Sequence, residues 1–388
     1  MKILLMANSH LPSIGGREIV VHQLAQQYIA KGHQVRLVGP SGVWKHRKIK
    51  FGYPLSRWPY ISLLGDEASK VTMMTLTKLF SGFDILHAHS THPMGYVAQK
   101  TNWLRPTPLV ITPHGEDINV IPEIEFGQRL DPEQDRKIRS ALACADKVTS
   151  ISETITRSLE SIGIDQQKVE YIPNGVDLGR FQSPQNMDIR RHLGIPQDAF
   201  LVCSIGNYHP RKGHEILVEA MQSLIEVDPN FFLVIAGKKS AEFVARVAAS
   251  TVSNHIKFLG TLPMPMPWDD GDDVLAAVLR ESAAYVSASM NEGAEGLSLA
   301  LLEAMAAGCC PVVTRISGNR DIIEHGKNGL LVKPGESQEL ADALLFLKNN
   351  QDELHNLSTG ANSTVSGYSW SSVADKYLDL YQRVIETS

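Results

Sequence analysis

Short apolar runs alternate with amphipathic helical runs from the first residues, and the alternation restarts once. Residues 2–7 read as a buried strand and Gly15-Gly16 as a turn. Residues 18–31 then read as a helix with Val20, Leu24 and Tyr28 on one face, and residues 35–38 as the next strand. A β-loop-α-β opening is the unit of a parallel, doubly wound sheet, since parallel strands need a crossover between them. Further strands are expected at 84–88, 109–112, 147–151 and 169–172, with helices over 67–80, 94–103, 132–144 and 153–162. The periodicity weakens through Asn174-Gly-Val-Asp177, Phe181, Pro184 and Pro196, where a domain boundary is expected. It resumes with strands at 200–205, 231–236, 255–258, 284–287, 310–314 and 329–332, separated by helical runs. The chain is therefore of the α/β class, with two Rossmann-like doubly wound domains and an expected cleft between them. Ligands of such sheets lie at the carboxyl ends of the strands.

Composition narrows the function. With 388 residues the chain exceeds one ordinary core. Apolar residues make up 43% and charged residues 20%, as in a soluble globular protein. A net charge of −5 gives no global case for nucleic-acid binding. Cys144, Cys203, Cys309 and Cys310 show no Cys-x-x-Cys spacing, so reduced thiols and a cytoplasmic location are expected. No apolar run is long enough to span a bilayer, and the N-terminal run is too short for a signal peptide.

The chemistry gathers in loops after strands. Neither Gly-x-Gly-x-x-Gly nor Gly-x-x-x-x-Gly-Lys-Ser/Thr occurs, which removes the main support for a nicotinamide or P-loop enzyme. Gly15-Gly16 opens a helix and lets a backbone approach an anion closely, although alone it reads as a tight turn. His114 stands at a strand end beside Gly115, a position that reaches into a cleft. Arg211 and Lys212 precede a helix whose N-terminus is positive, which suits a diphosphate; alone they read as a solvated charged loop. Residues 287–314 run strand end, polar loop, apolar helix, glycine stop at Gly308 and strand. Inside that apolar helix lies one carboxylate, Glu303, with Glu295 eight residues earlier. Burying a carboxylate without partners is costly. Two partners are open: a sugar or ribose hydroxyl pair, or an Arg or backbone amides. His87 and His89 share one strand face, but no carboxylate or cysteine close in sequence completes a metal set. The Asp269-Asp-Gly-Asp-Asp273 run reads as a solvated loop with an acidic helix cap.

Taken together, these motifs resemble glycosyltransferase family 4, retaining nucleotide-sugar transferases of the GT-B fold. The most specific part is Glu295-Gly-Leu-Ser-Leu-Ala-Leu-Leu-Glu303-Ala-Met, which matches the family's Glu-x7-Glu motif. Gly15-Gly16, His114-Gly115, Asn174-Gly-Val-Asp177, Lys212-Gly213, Asn328-Gly-Leu-Leu-Val332 and Tyr368-Ser-Trp370 follow in the family's order. The resemblance implies that the last helix crosses back onto the first domain. The expected domains are then 1–182 with 366–388 on the acceptor side, and 183–365 binding the nucleotide sugar. It further implies that Glu295 binds donor-sugar hydroxyls, Glu303 the ribose and Lys212 the diphosphate, aided by amides near Gly296, Leu297 and Ser298. Gly15 and Gly16 would approach the donor phosphate and the acceptor, and His114 the donor sugar near its reacting carbon. The implied catalytic set is His114, Lys212 and Glu295, with no metal and no cofactor beyond the UDP- or GDP-sugar substrate. One departure stands out: Asn207 holds the place where the family usually has Arg, and Arg211 is the expected compensation. Asp321 likewise stands where the family often has Glu.

Physical arguments agree with a transferase. A leaving nucleoside diphosphate needs charge stabilisation, which Lys212 and a helix N-terminus supply. Were both glutamates helical, their backbones would stand about 12 Å apart. A retaining hydrolase needs its carboxyls about 5–5.5 Å apart. Retaining, metal-independent transfer to a glycan, glycolipid or small molecule is expected. The alternatives are a GT-B epimerase or phosphorylase, and a catalytically weak transferase partner subunit. Residues 44–64 interleave Lys and Arg with Trp44, Phe51, Tyr53, Trp58 and Tyr60, without an acid. This pattern suits peripheral contact with an anionic membrane face, or a solvated loop with its aromatics tucked inward.

Overall fold

A computed structural model describes residues 1–11, 13, 15–40, 51–263, 272–293 and 296–387. The chain forms two compact units, Met1–Asn174 with Trp370–Ser388, and Gly175–Ser369.

The first unit is built on seven strands: β1 (Lys2–Met6), β2 (Gln34–Pro40), β3 (Leu55–Trp58), β4 (Ile85–Ala88), β5 (Leu109–Ile111), β6 (Lys147–Ser150) and β7 (Val169–Tyr171). Their order is β3-β2-β1-β4-β5-β6-β7, and every pairing is parallel. Ile3, Leu4, Leu5 and Met6 are fully buried, as expected of a central strand covered by helices on both faces. The order reverses between β1 and β4, the point where such sheets leave a crevice at their carboxyl ends. β3 lies within the basic, aromatic stretch and pairs with β2.

The last helix, Trp370–Thr387, belongs to this unit. It is held by a buried polar chain as well as by apolar packing. Tyr381 Oη lies 3.0 Å from Tyr28 Oη and 2.5 Å from His87 Nδ1. His87 Nε2 reaches Thr112 Oγ1 at 2.7 Å, and Tyr377 Oη lies 3.3 Å from both Thr112 and Thr149. His87 is thus a structural histidine joining this helix to the sheet.

The second unit carries β8 (Phe200–Ile205), β9 (Phe231–Ala236), β10 (Ile256–Gly260), β11 (Ala284–Ser287), β12 (Cys310–Thr314) and β13 (Leu330–Val332). They form a parallel sheet in the order β10-β9-β8-β11-β12-β13, with its switch point between β8 and β11. Residues 175–182 pack here because the short helix Leu178–Gln182 buries Phe181 in the same core as Leu301, Leu302 and Met305. The apolar helix of the sequence is Leu299–Ala307, with Leu301 to Ala306 buried without a break. Gly308, at φ +93°, ends it in the left-handed region that glycine tolerates.

Candidate functional site

In the first unit, the carboxyl ends of β1, β4 and β5 present Gly15-Gly16, His89 and His114. Gly15 is the N-cap of the Gly16–Ala30 helix in extended backbone, with no side-chain cap. A Cβ there would stand 2.4 Å from Glu18 Oε2, an oxygen of a carboxylate bonded to Ser9 Oγ, so the glycine leaves room for that contact. Arg17 reaches Ser9 Oγ at 3.2 Å. A cation in the first turn of a helix opposes the macrodipole. That is the signal by which the sequence could have singled out Arg17, which motif reading passed over.

His114 Nε2 lies 3.3 Å from His89 Nδ1. The His114 backbone N–H donates to Asp117 Oδ1 at 2.9 Å, while Asp117 Oδ2 accepts from Thr91 N at 2.7 Å. Asp117 therefore fixes the loop that carries His114. Burial, then the neighbouring His89 and Arg17, hold the His114 imidazole well below its ordinary range. Burial, then Arg17, takes His89 down to about 3. His114 is thus a neutral hydrogen-bonding group at physiological pH, not an imidazolium. Among the described residues His89 Nε2 is buried without a hydrogen-bond partner, and no group of His, Cys, Asp or Glu is arranged to hold a metal ion.

In the second unit, three loops knit together at the carboxyl ends of β8, β9 and β11. Lys212 ends the turn Pro210–Lys212, and Gly213 at φ +65° starts the His214–Val227 helix. A Cβ on Gly213 would lie 2.0 Å from the Ala288 carbonyl oxygen, so the loops after β8 and β11 meet backbone to backbone. Met290 N donates to Arg211 O at 2.7 Å across the same junction. Asn207 Oδ1 accepts from Lys238 N at 2.9 Å. The residue at this departure from the family pattern thus clips the β9 loop in place.

Ser298 is the N-cap of the Leu299–Ala307 helix and makes no side-chain cap bond. Glu295 lies outside the described residues. Its flank is anchored, since Gly293 N donates to Ser317 Oγ at 3.0 Å and Ser317 N to Glu292 at 3.2 Å.

Glu303 is 8% exposed. Among the described residues its carboxylate has no hydrogen-bond partner. The arginine alternative is only half met. Arg180 lies near enough to act on Glu303 electrostatically, but its guanidinium grips Asp273 with both arms, at 2.6 and 3.1 Å. Burial raises the Glu303 carboxyl above its ordinary range, Arg180 opposes that, and Asp273 adds to it. A desolvated acceptor with two open oxygens is left on the helix that follows β11.

Comparison with known proteins agrees with this geometry. The model described as Glycosyltransferase Family 4 matches residues 14–180, and that described as Glycosyl transferases group 1 matches residues 185–364. Anabaena HepE, solved with UDP and with UDP-glucose, superposes with TM-scores of 0.82 and 0.81. It is 21% identical in the UDP complex, covering 99% of this chain and 100% of that one. Two doubly wound parallel units with these neighbours define the GT-B fold. The chain belongs to the family 4-like glycosyltransferases, whose two models account for nearly all of it. It is 28% identical to a phosphatidyl-myo-inositol mannosyltransferase of Mycobacterium leprae, over 95% of this chain and 93% of that protein. It is 23% identical to an N-acetyl-alpha-D-glucosaminyl L-malate synthase of Bacillus anthracis, over 96% and 95%.

Proposed function

We propose that this glycosyltransferase is retaining and metal-independent, taking its sugar from a UDP- or GDP-sugar and passing it to a glycan, glycolipid or small-molecule acceptor. Glu303 carries the reading. A buried carboxylate without a hydrogen-bond partner among the described residues, beside an uncapped helix N-terminus, fits the vicinal hydroxyls of a ribose. Lys212 and Arg211 take the diphosphate, with the amides of Gly296, Leu297 and Ser298. Glu295 takes the sugar hydroxyls. Gly15 and Gly16 give close backbone approach to a phosphate, and neutral His114 donates a hydrogen bond to the donor sugar rather than a proton. The UDP and UDP-glucose bound by HepE, and the lipid and small-molecule acceptors named for the relatives above, support the same classes here.

A thermal-shift screen against UDP-, GDP- and ADP-sugars tests the donor, because a ligand of the folded state raises its melting temperature. No stabilisation by any of them would end the reading. With donor and acceptor in hand, NMR of the product should show the donor's anomeric configuration kept, with turnover surviving EDTA. Inversion or complete loss would refute those two points.

A second reading concerns residues 44–64. Phe51, Tyr53 and Trp58 are buried, whereas Tyr60 and Leu63 stand 61% and 93% exposed; residues 44–50 lie outside the described part. The exposed pair favours peripheral contact with an anionic bilayer. Co-sedimentation with anionic vesicles should fall in a Tyr60→Ser, Leu63→Ser variant, and equal pelleting would remove the idea. Among the described residues no helix is long and apolar enough to cross a membrane.

A further inference from the structure

The loop after β9 brings a second lysine to the strand ends. Gly237, at φ +122°, packs so closely that a Cβ would lie 2.2 Å from the Gly206 carbonyl oxygen. Tyr208 N donates to Lys238 O at 2.7 Å, and Asn207 closes the other side of the same pair. Pinned in this way, the chain returns Lys239 over the end of β8. Its Nζ donates to Gly206 O at 2.6 Å and lies 3.2 Å from His214 Nε2, in the first turn of the helix that follows Lys212. We propose that Lys239 is a donor-binding residue whose ammonium takes a phosphate oxygen of the nucleotide, a role that rests on the nucleotide-sugar reading above.

The count of donors supports this. An ammonium has three N–H groups, of which the Gly206 carbonyl and the imidazole take two. The third has no acceptor among the described residues, and no carboxylate there pairs with the charge. Burial disfavours the charge of Lys239, and Lys212, from the turn, lies close enough to add repulsion to it. His214, from the helix, contributes no balancing charge: burial, Lys239 and Lys212 hold it down to about 3, so it stays neutral and serves as an acceptor that orients the ammonium. A partly desolvated cation beside another cation and a helix N-terminus is unfavourable until an anion arrives. Asn207, uncharged and spent on the loop, supplies no charge here. Lys239 delivers it from the neighbouring strand to the carbonyl one residue before Asn207.

The test is calorimetric titration of UDP, GDP and ADP into wild type, Lys239→Gln and Lys239→Arg, with melting temperatures measured without ligand. For whichever nucleotide wild type binds, Lys239→Gln should weaken binding by about tenfold or more, the range for losing a charged hydrogen bond. Lys239→Arg should stay within about threefold. The ligand-free melting temperature of Lys239→Gln should not fall. Binding within twofold of wild type, or a lower melting temperature with unchanged affinity, would overturn the proposal by giving the lysine a structural role. Should Lys239→Gln not fold, proton linkage decides. Lys239 is brought down to about 8 in the free protein, so an arriving anion should draw in about half a proton at pH 8. Uptake of none, or uptake undiminished in Lys239→Arg, would overturn it. Wild type that binds none of the three nucleotides would instead defeat the nucleotide-sugar reading itself, and the lysine's role with it.

Discussion

Glu303→Gln separates a carboxylate kept for a ligand from one kept for the fold. The side chain is buried on the Leu299–Ala307 helix, and the cation that acts on it, Arg180, is committed to Asp273. Its carboxyl is raised by burial, so the unfolded state ionises at lower pH than the folded one. The sign follows: this group costs no stability below the unfolded pKa, and the cost grows as pH rises through the folded value. At neutral pH a neutral isostere should therefore raise the ligand-free melting temperature. Donor affinity should move the other way. If the carboxylate accepts from two ribose hydroxyls, Gln keeps one acceptor oxygen and loses the charge. Losing one charge-assisted hydrogen bond costs about 1.5–3 kcal/mol, or roughly 10- to 150-fold in affinity. Thermal melts and calorimetry with the nucleotide found by screening read both quantities on one preparation. A lower melting temperature with unchanged affinity would mean that the protein itself satisfies Glu303, and the reasoning would fail.

Three further outcomes are expected. His22, His89 and His214 are buried and held down to about 4, 3 and 3, so the folded state keeps them neutral while the unfolded chain protonates below 6.5. Stability is then lost as pH falls, by about 2 kcal/mol for each by pH 5; urea midpoints that do not move between pH 7.5 and 5 would contradict this. Tyr381→Phe strands Tyr28 Oη and His87 Nδ1 in the core of the first unit and should cost about 1–3 kcal/mol by urea unfolding. Gly213→Ala imposes a left-handed penalty of about 1–2 kcal/mol and pushes Ala288 away, so both the melting temperature and the stabilisation by nucleotide should drop.

Most of the fold was legible because its signals are local. The alternation of strand and helix, the glycine stop at 308 and the Pro132–Cys144 helix all follow from periodicity and end signals in adjacent residues. β3 was not, because Leu55–Trp58 is short and its mixed side chains pair with a strand some twenty residues away. The helices Leu178–Gln182 and Ile189–Leu193 are too short to show a period. Of the site, Glu303 was legible as a charge in an apolar run, and Lys212 as a cation before a helix. Lys239 was not singled out, since it matters through neighbours from other segments, whereas Arg17 had a local signal, a cation in the first turn of a helix, that motif spacing does not register.

Sequence alone determined the α/β class, the two doubly wound halves and the order of the motif loops, because hydrophobic period and turn chemistry act over a few residues. Only the tertiary structure decided how the charges are spent. Arg180 goes to Asp273 and leaves Glu303 open, Asn207 becomes a clip for the β9 loop, and Lys239 is carried to the end of β8. Those outcomes depend on parallel strands bringing distant loops to one edge, where desolvation makes each pairing count.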